Sequence, residues 1–101
     1  IGGGGEFVHY AMSKGAIHSL TYGMAKELGK FGIRVNAVAP GLIDTEIHAA
    51  AGDASRVDRL MSSVPLGRIG GAKEVAKTVM WLLSEDASYI SGSVVPVTGG
   101  R

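Results

Sequence analysis

Two side chains near the start of the chain have the types and the spacing for proton transfer. Tyr10 and Lys14 stand four residues apart, and on a helix that spacing sets both on one face. A phenol titrates near ~10, so exchanging protons near neutrality requires a fall of roughly 3 units, about 4 kcal/mol. A neighbouring ammonium supplies about 1 to 3 units of that fall, and a second positive group has to supply the rest. The pattern Tyr-x-x-x-Lys is short, and an amphipathic helix with one surface Lys shows it equally well. What surrounds the pair therefore matters.

Other residue types invite weaker chemical readings. Gly2–Gly5 suggests a phosphate loop, but Phe7 stands where the last Gly of Gly-x-Gly-x-x-Gly is required, which leaves a flexible loop. His9, His18 and His48 are too scattered for a metal site, and the absence of cysteine excludes thiolate zinc and disulfides. No metal is expected. His48 and Met61 are candidates to face a substrate; otherwise His48 is solvated and Met61 packs, as Met12, Met24 and Met80 do. Trp81 suits packing or a subunit contact. Lys26, Glu27 and Lys30 read as a solvated face.

The elements that must position these groups follow from periodicity. Residues 1–8 read as a loop because four consecutive glycines hold regular structure poorly. A helix is expected over about 9–30, with Ile17, Leu20, Met24, Leu28 and Phe31 as its apolar stripe and Gly29 and Gly32 at its end. Residues 33–39 read as a strand ending at the Pro40-Gly41 turn. Residues 42–63 look helical in parts but show no clean stripe, and are expected to form a mobile insertion. A loop over 65–71 leads to a helix over 72–84, with Val75, Val79, Leu82 and Leu83 on its buried side and Glu74 where the helix dipole favours an anion. Residues 93–98 read as an edge strand, because Pro96 cannot donate to a ladder. Strands joined through helices point to a parallel α/β sheet. Two strands cannot bury these helices, so further strands are expected upstream, and the sequence is expected to begin mid-protein.

Composition narrows the class. The 101 residues carry 10 Lys plus Arg and 9 Asp plus Glu, a net charge of +1 that suggests neither nucleic acid nor an anionic membrane. At 46% hydrophobic the chain is an ordinary globular sequence. The longest large-apolar run, 79–83, is far too short for a membrane span. A reducing compartment is compatible with the lack of cysteine, and the cytoplasm is the expected location.

Five ordered blocks carry a resemblance. Tyr10-Ala-Met-Ser-Lys14-Gly-Ala resembles the active-site helix of the short-chain dehydrogenase/reductase family. Asn36-Ala-Val-Ala-Pro40-Gly41, with Thr45 at the Pro-Gly-x-x-x-Thr position, resembles the strand and turn that follow it. Pro65-Leu-Gly-Arg68-Ile-Gly70, then Glu74-Val-Ala with Leu82-Leu-Ser, and finally Val97-Thr-Gly-Gly100 are similar to the family's C-terminal signature. The pattern is nearest to bacterial glucose dehydrogenase-like or 3-oxoacyl-[acyl-carrier-protein] reductase-like members. Thr98 departs from a frequent Asp and Ala72 from a frequent Pro; the second loses only a helix-start preference.

The resemblance implies the C-terminal portion of a Rossmann-type doubly wound parallel sheet, forming part of one domain over 1–101, with 46–63 as a substrate lid. It implies hydride transfer between NAD or NADP and a small-molecule carbonyl or secondary alcohol. Tyr10 would be the general acid/base. Lys14 would bind the nicotinamide ribose and, with the charged ring, depress the Tyr10 pKa. Pro40, Gly41 and the Ile43 backbone would line the nicotinamide, and Thr45 would contact its amide or the cofactor phosphates. The family's catalytic Ser and Gly-rich phosphate loop would lie upstream of Ile1, so the 1–101 stretch alone is expected to be inactive. A homo-oligomer, tetramer or dimer, is expected of the whole protein. The rival is a catalytically inactive relative kept as a binding or assembly subunit.

Overall fold

The computed structural model describes residues 4–43 and 52–101, with side chains in all of these except 4–10 and 54. It divides into two compact units, residues 1–37 with 89–94 and residues 38–88 with 95–101.

The first unit is built on α1, Gly4–Leu28. The helix starts five residues earlier than the expected onset at His9 and takes in Gly4 and Gly5, which the sequence assigns to a loop. Glycine costs a helix only about 1 kcal/mol relative to Ala, which the long good-helix sequence beyond it offsets. At its other end the helix tightens into a 3-10 turn, Gly29–Phe31, and stops at Gly32 with φ 75°. The Gly32 N–H donates to Gly29 O at 2.9 Å and the Ile33 N–H to Leu28 O at 3.3 Å. This is the left-handed end that glycine takes without steric cost.

The apolar stripe on α1 lies exposed, as expected of a helix that two strands cannot bury. Ile17 is 50% exposed, Leu20 58%, and Phe31 is exposed as well. The buried residue is Thr21, whose hydroxyl donates to Ile17 O at 2.7 Å. Apolar residues also stand off the stripe, at Met12 and Tyr22, so the helix has no single inward face. Its basic end is exposed at Lys26, Glu27 and Lys30 as expected, with the Lys26 ammonium 4.8 Å from the centroid of the exposed Tyr22 ring.

Residues 33–36 are not yet strand, contrary to the expectation, because side chains take their ladder positions. The Val35 N–H donates to Ser91 Oγ. The Asn36 amide donates to Ile90 O at 2.9 Å and accepts from the Ser93 N–H at 3.1 Å. Strand β1 is therefore confined to Ala37–Pro40.

β1 pairs with β2, Val94–Val97. The Ala37 N–H donates to Ser93 O and the Gly41 N–H to Val97 O, a parallel register in which residues 93 and 97 face β1. The nitrogen of Pro96 thus points to the other side, where its missing donor breaks no bond.

The second unit holds the core, which is Leu42, Val64, Leu82 and Ala87. Its helix α2, Ala54–Ser62, begins at Asp53, whose side chain accepts from the Arg56 N–H at 3.1 Å. Half-buried Val57 and Leu60 lead to buried Val64, a helical stripe in the segment that showed none by inspection. Helix α3, Ala72–Leu83, matches the expected range, but its inward side is narrower. Leu82 is buried and Val75 half-buried, whereas Val79 is 37% and Leu83 72% exposed. Leu82 and Leu83 are adjacent and so point in different directions around the helix, which leaves Leu83 out of the inward face.

Candidate functional site

Tyr10 and Lys14 lie one turn apart on α1, in a helix unbroken from Gly4 to Leu28. The helical phase demanded by proton exchange is therefore met by the backbone, with Lys14 exposed. The Tyr10 side chain lies outside the described ones.

Pro40, Gly41 and Ile43 belong to the second unit. Pro40 is the exposed last residue of β1. Gly41 follows it at a place where a side chain would crowd Thr98. A Cβ there would stand 3.0 Å from both Cα and Cβ of Thr98, and the Gly41 N–H already donates to Val97 O at 3.0 Å. The glycine is required by close approach and not by its backbone angles, as it is absent from the positive-φ residues. Ile43 then forms an isolated parallel bridge with Gly70, backed by the Gly70 N–H donating to Leu42 O at 3.0 Å. Thr45 and His48 lie outside the described residues. Met61 is 37% exposed on α2.

A cleft of about 210 Å³ opens in this second unit beside Ile43. Leu66, Thr98 and Gly99 form part of its wall, and Arg68 and Glu74 form its charged corner. The Glu74 carboxylate takes a two-pronged contact from the Arg68 guanidinium, Nη1 to Oε1 at 2.6 Å and Nη2 to Oε2 at 2.8 Å. It also accepts from the Gly71 N–H at 3.0 Å, while Gly71 O accepts from the Glu74 N–H at 2.9 Å. The result is a closed first turn of α3. Arg68 hydrogen bonding, then the Gly71 bond, hold the Glu74 carboxyl down to about 2, and the same pairing raises the Arg68 pKa.

This ion pair is the feature that sequence reading missed. Both residues stood in recognised blocks, but six residues separate them across a loop, and no helical rule pairs them. The capping pattern was the available signal: Gly71 before a helix with Glu three residues on. Among the described residues no three His, Cys, Asp or Glu side chains stand together as a metal site would require, and no helix is long and apolar enough to cross a membrane.

A Tyr–Lys helix turn, a Pro-Gly exit from a parallel strand and a capped helix after Gly-Arg define one class of protein. The chain belongs to the short-chain dehydrogenase/reductase family, and the sequence profile of the family described as enoyl-(acyl carrier protein) reductase matches residues 2–101. It is 52% identical over 101 residues to the uncharacterized oxidoreductase YgfF of Escherichia coli strain K12, covering all of this chain and 41% of that protein. It is 45% identical over 92 residues to the 3-oxoacyl-[acyl-carrier-protein] reductase FabG of Pseudomonas aeruginosa, covering 91% of this chain and 37% of that one.

Among solved structures, a putative 2-deoxy-D-gluconate 3-dehydrogenase from Agrobacterium tumefaciens with bound NADP superposes with a TM-score of 0.80 at 35% identity, over 90% of this chain and 37% of that chain. A blue fluorescent protein from a metagenomic library in complex with NADPH gives 0.78 at 37% identity, over 90% of this chain and 36% of that one. The fold class is thereby α/β of the doubly wound type. The chain spans about two fifths of the length of the curated relatives.

Proposed function

We propose that the whole protein is an NAD(P)-dependent oxidoreductase acting on a small-molecule carbonyl or secondary alcohol, with Tyr10 as general acid/base. The observation that carries this reading is the placement of Tyr10 and Lys14 one turn apart on an unbroken helix in a chain of this family. Relatives that bind NADP or NADPH by name support the cofactor assignment.

The residues present fit the nicotinamide end of a dinucleotide. Lys14 is an exposed residue whose ammonium suits ribose hydroxyls, and Gly41 brings backbone without a side chain to the strand's carboxyl end, where such sheets bind ligands. When bound, the nicotinamide supplies and accepts the hydride. In reduction the Tyr10 hydroxyl gives its proton to the substrate oxygen; in oxidation the phenolate takes it back. Lys14 positions the ribose and favours the phenolate by its charge. Pro40, Gly41, Ile43 and Thr45 line the cofactor, while His48 and Met61 face substrate from the 46–63 lid. The whole protein assembles as a homo-oligomer, dimer or tetramer.

Lys14→Met in the full-length protein tests the reading. Cofactor affinity should fall, and the remaining activity should require higher pH because the phenol returns toward ~10. Lys14→Arg should rescue only partly, since a planar fork does not replace a compact ammonium. Unchanged cofactor affinity and an unshifted pH profile in Lys14→Met would overturn the assignment of Lys14.

A further inference from the structure

The bonds of the Arg68–Glu74 pair lead, through the loop between them, to the segment expected to line the cofactor. Glu74 binds Arg68 with both oxygens and the Gly71 N–H with one of them. Gly70, one of the two residues between those anchors, donates its N–H to Leu42 O at 3.0 Å and bridges Ile43. The fit there is tight, because a Cβ on Gly70 would stand 3.2 Å from the Ile43 side-chain Cδ1. Nothing else among the described backbone bonds ties residues 42–43 to a helix: Gly41 is fixed to β2, and the next bond outward is the one to Gly70.

We propose that Arg68 and Glu74 are positioning residues that, through Gly70, hold the Leu42–Ile43 backbone in the register needed to receive the nicotinamide end of the cofactor. This rests on the proposed function. The pair acts as a clasp: α3 provides the fixed end through the capped Glu74, and the 65–71 loop carries Gly70 against the strand exit. A bidentate guanidinium–carboxylate contact suits the role because it fixes orientation as well as distance. Lysine would keep the charge and lose the fork.

The test uses the full-length protein with Glu74→Gln, Arg68→Met and Arg68→Lys, beside Leu82→Val as a core variant that takes no part in the clasp's hydrogen bonds. Two quantities are read: amide exchange at Gly70, and the dissociation constant for NADP(H) followed by cofactor fluorescence, with kcat alongside. Glu74→Gln and Arg68→Met should each speed Gly70 exchange and weaken cofactor binding about two- to fivefold, the range that a partly exposed ion pair supports. Both should leave kcat within about twofold, and the double variant should be no worse than either single one. Arg68→Lys should fall between. Leu82→Val should lower the melting temperature without moving cofactor affinity.

Unchanged Gly70 exchange overturns the clasp whatever the cofactor does. Faster exchange with unchanged affinity in a parent that binds NADP(H) overturns the positioning role. A parent that binds neither NAD(H) nor NADP(H) overturns the proposed function, and the clasp's role in cofactor binding falls with it.

Discussion

The two units are held together by different means. The second, residues 38–88 with 95–101, has an apolar core and glycines that tolerate no Cβ: at Gly99 one would come within 2.7 Å of Val64 Cγ1. The first, residues 1–37 with 89–94, buries a single residue among those described, Thr21. Its order comes from an internally hydrogen-bonded helix and from the Asn36 side chain, which clamps Ile90 and Ser93. Packing specifies one unit and hydrogen bonding the other, so identical substitutions should have opposite consequences in the two.

Truncation of a core side chain should give the largest effect. In the 101-residue chain Leu82→Ala should cost about 2–5 kcal/mol by denaturant unfolding, whereas Leu20→Ala on α1 should stay within about 0.5 kcal/mol, as exposed sites do. The same pair measured in the full-length protein sharpens the contrast. If α1 gains a partner there, the Leu20→Ala cost should rise toward that of Leu82→Ala; a cost that stays small would remove the argument that its apolar surface serves assembly.

Glycine replacement comes next. Gly99→Ala should destabilise by about 1–3 kcal/mol, from the Val64 clash and from a φ of 65°. Gly23→Ala, on α1 with nothing within 4 Å of the added Cβ, should stabilise by about 0.5–1 kcal/mol. Thermal melts of the two variants would show the opposite signs directly, and a shared sign would mean that the units do not differ as described.

Acid dependence should be the smallest effect and confined to the second unit. Glu74 is held at about 2 against an ordinary 4.5. Its contribution to stability is therefore complete above about 4.5 and is lost as pH falls through 2. Glu74→Gln should be less stable than the parent at pH 7, and the gap between their melting temperatures should close as pH approaches 2. A gap of constant size would show that the carboxylate's charge is not what stabilises the turn.

What could be read from the sequence divides along the same line. Helix α3 and the Gly32 stop are local events, written in apolar spacing behind a first-turn Glu and in a terminal glycine, and both were legible. The start of α1 was not, because four glycines argue for a loop while the helix beyond them extends through Gly4. Strand β1 was read too long because the Asn36 clamp depends on residues more than fifty positions away. The stripe of α2 was hidden by its shortness: Val57, Leu60 and Val64 are three residues among Ser, Asp and Arg. At the candidate site, Tyr10, Lys14, Pro40 and Gly41 were visible as residue types at fixed spacing. The reason Gly41 must be glycine, its approach to Thr98, and the Arg68–Glu74 clasp are tertiary facts that spacing does not contain.

Proton transfer by Tyr10 is tested by the pH–rate profile of Tyr10→Phe in the full-length protein, which keeps the ring and removes the proton. Here kcat should fall by roughly 10²- to 10⁴-fold, the range typical of a lost general acid/base, with little change in cofactor affinity and with the titration assigned to Tyr10 gone from the profile. Near-parental kcat with an unshifted profile would contradict it.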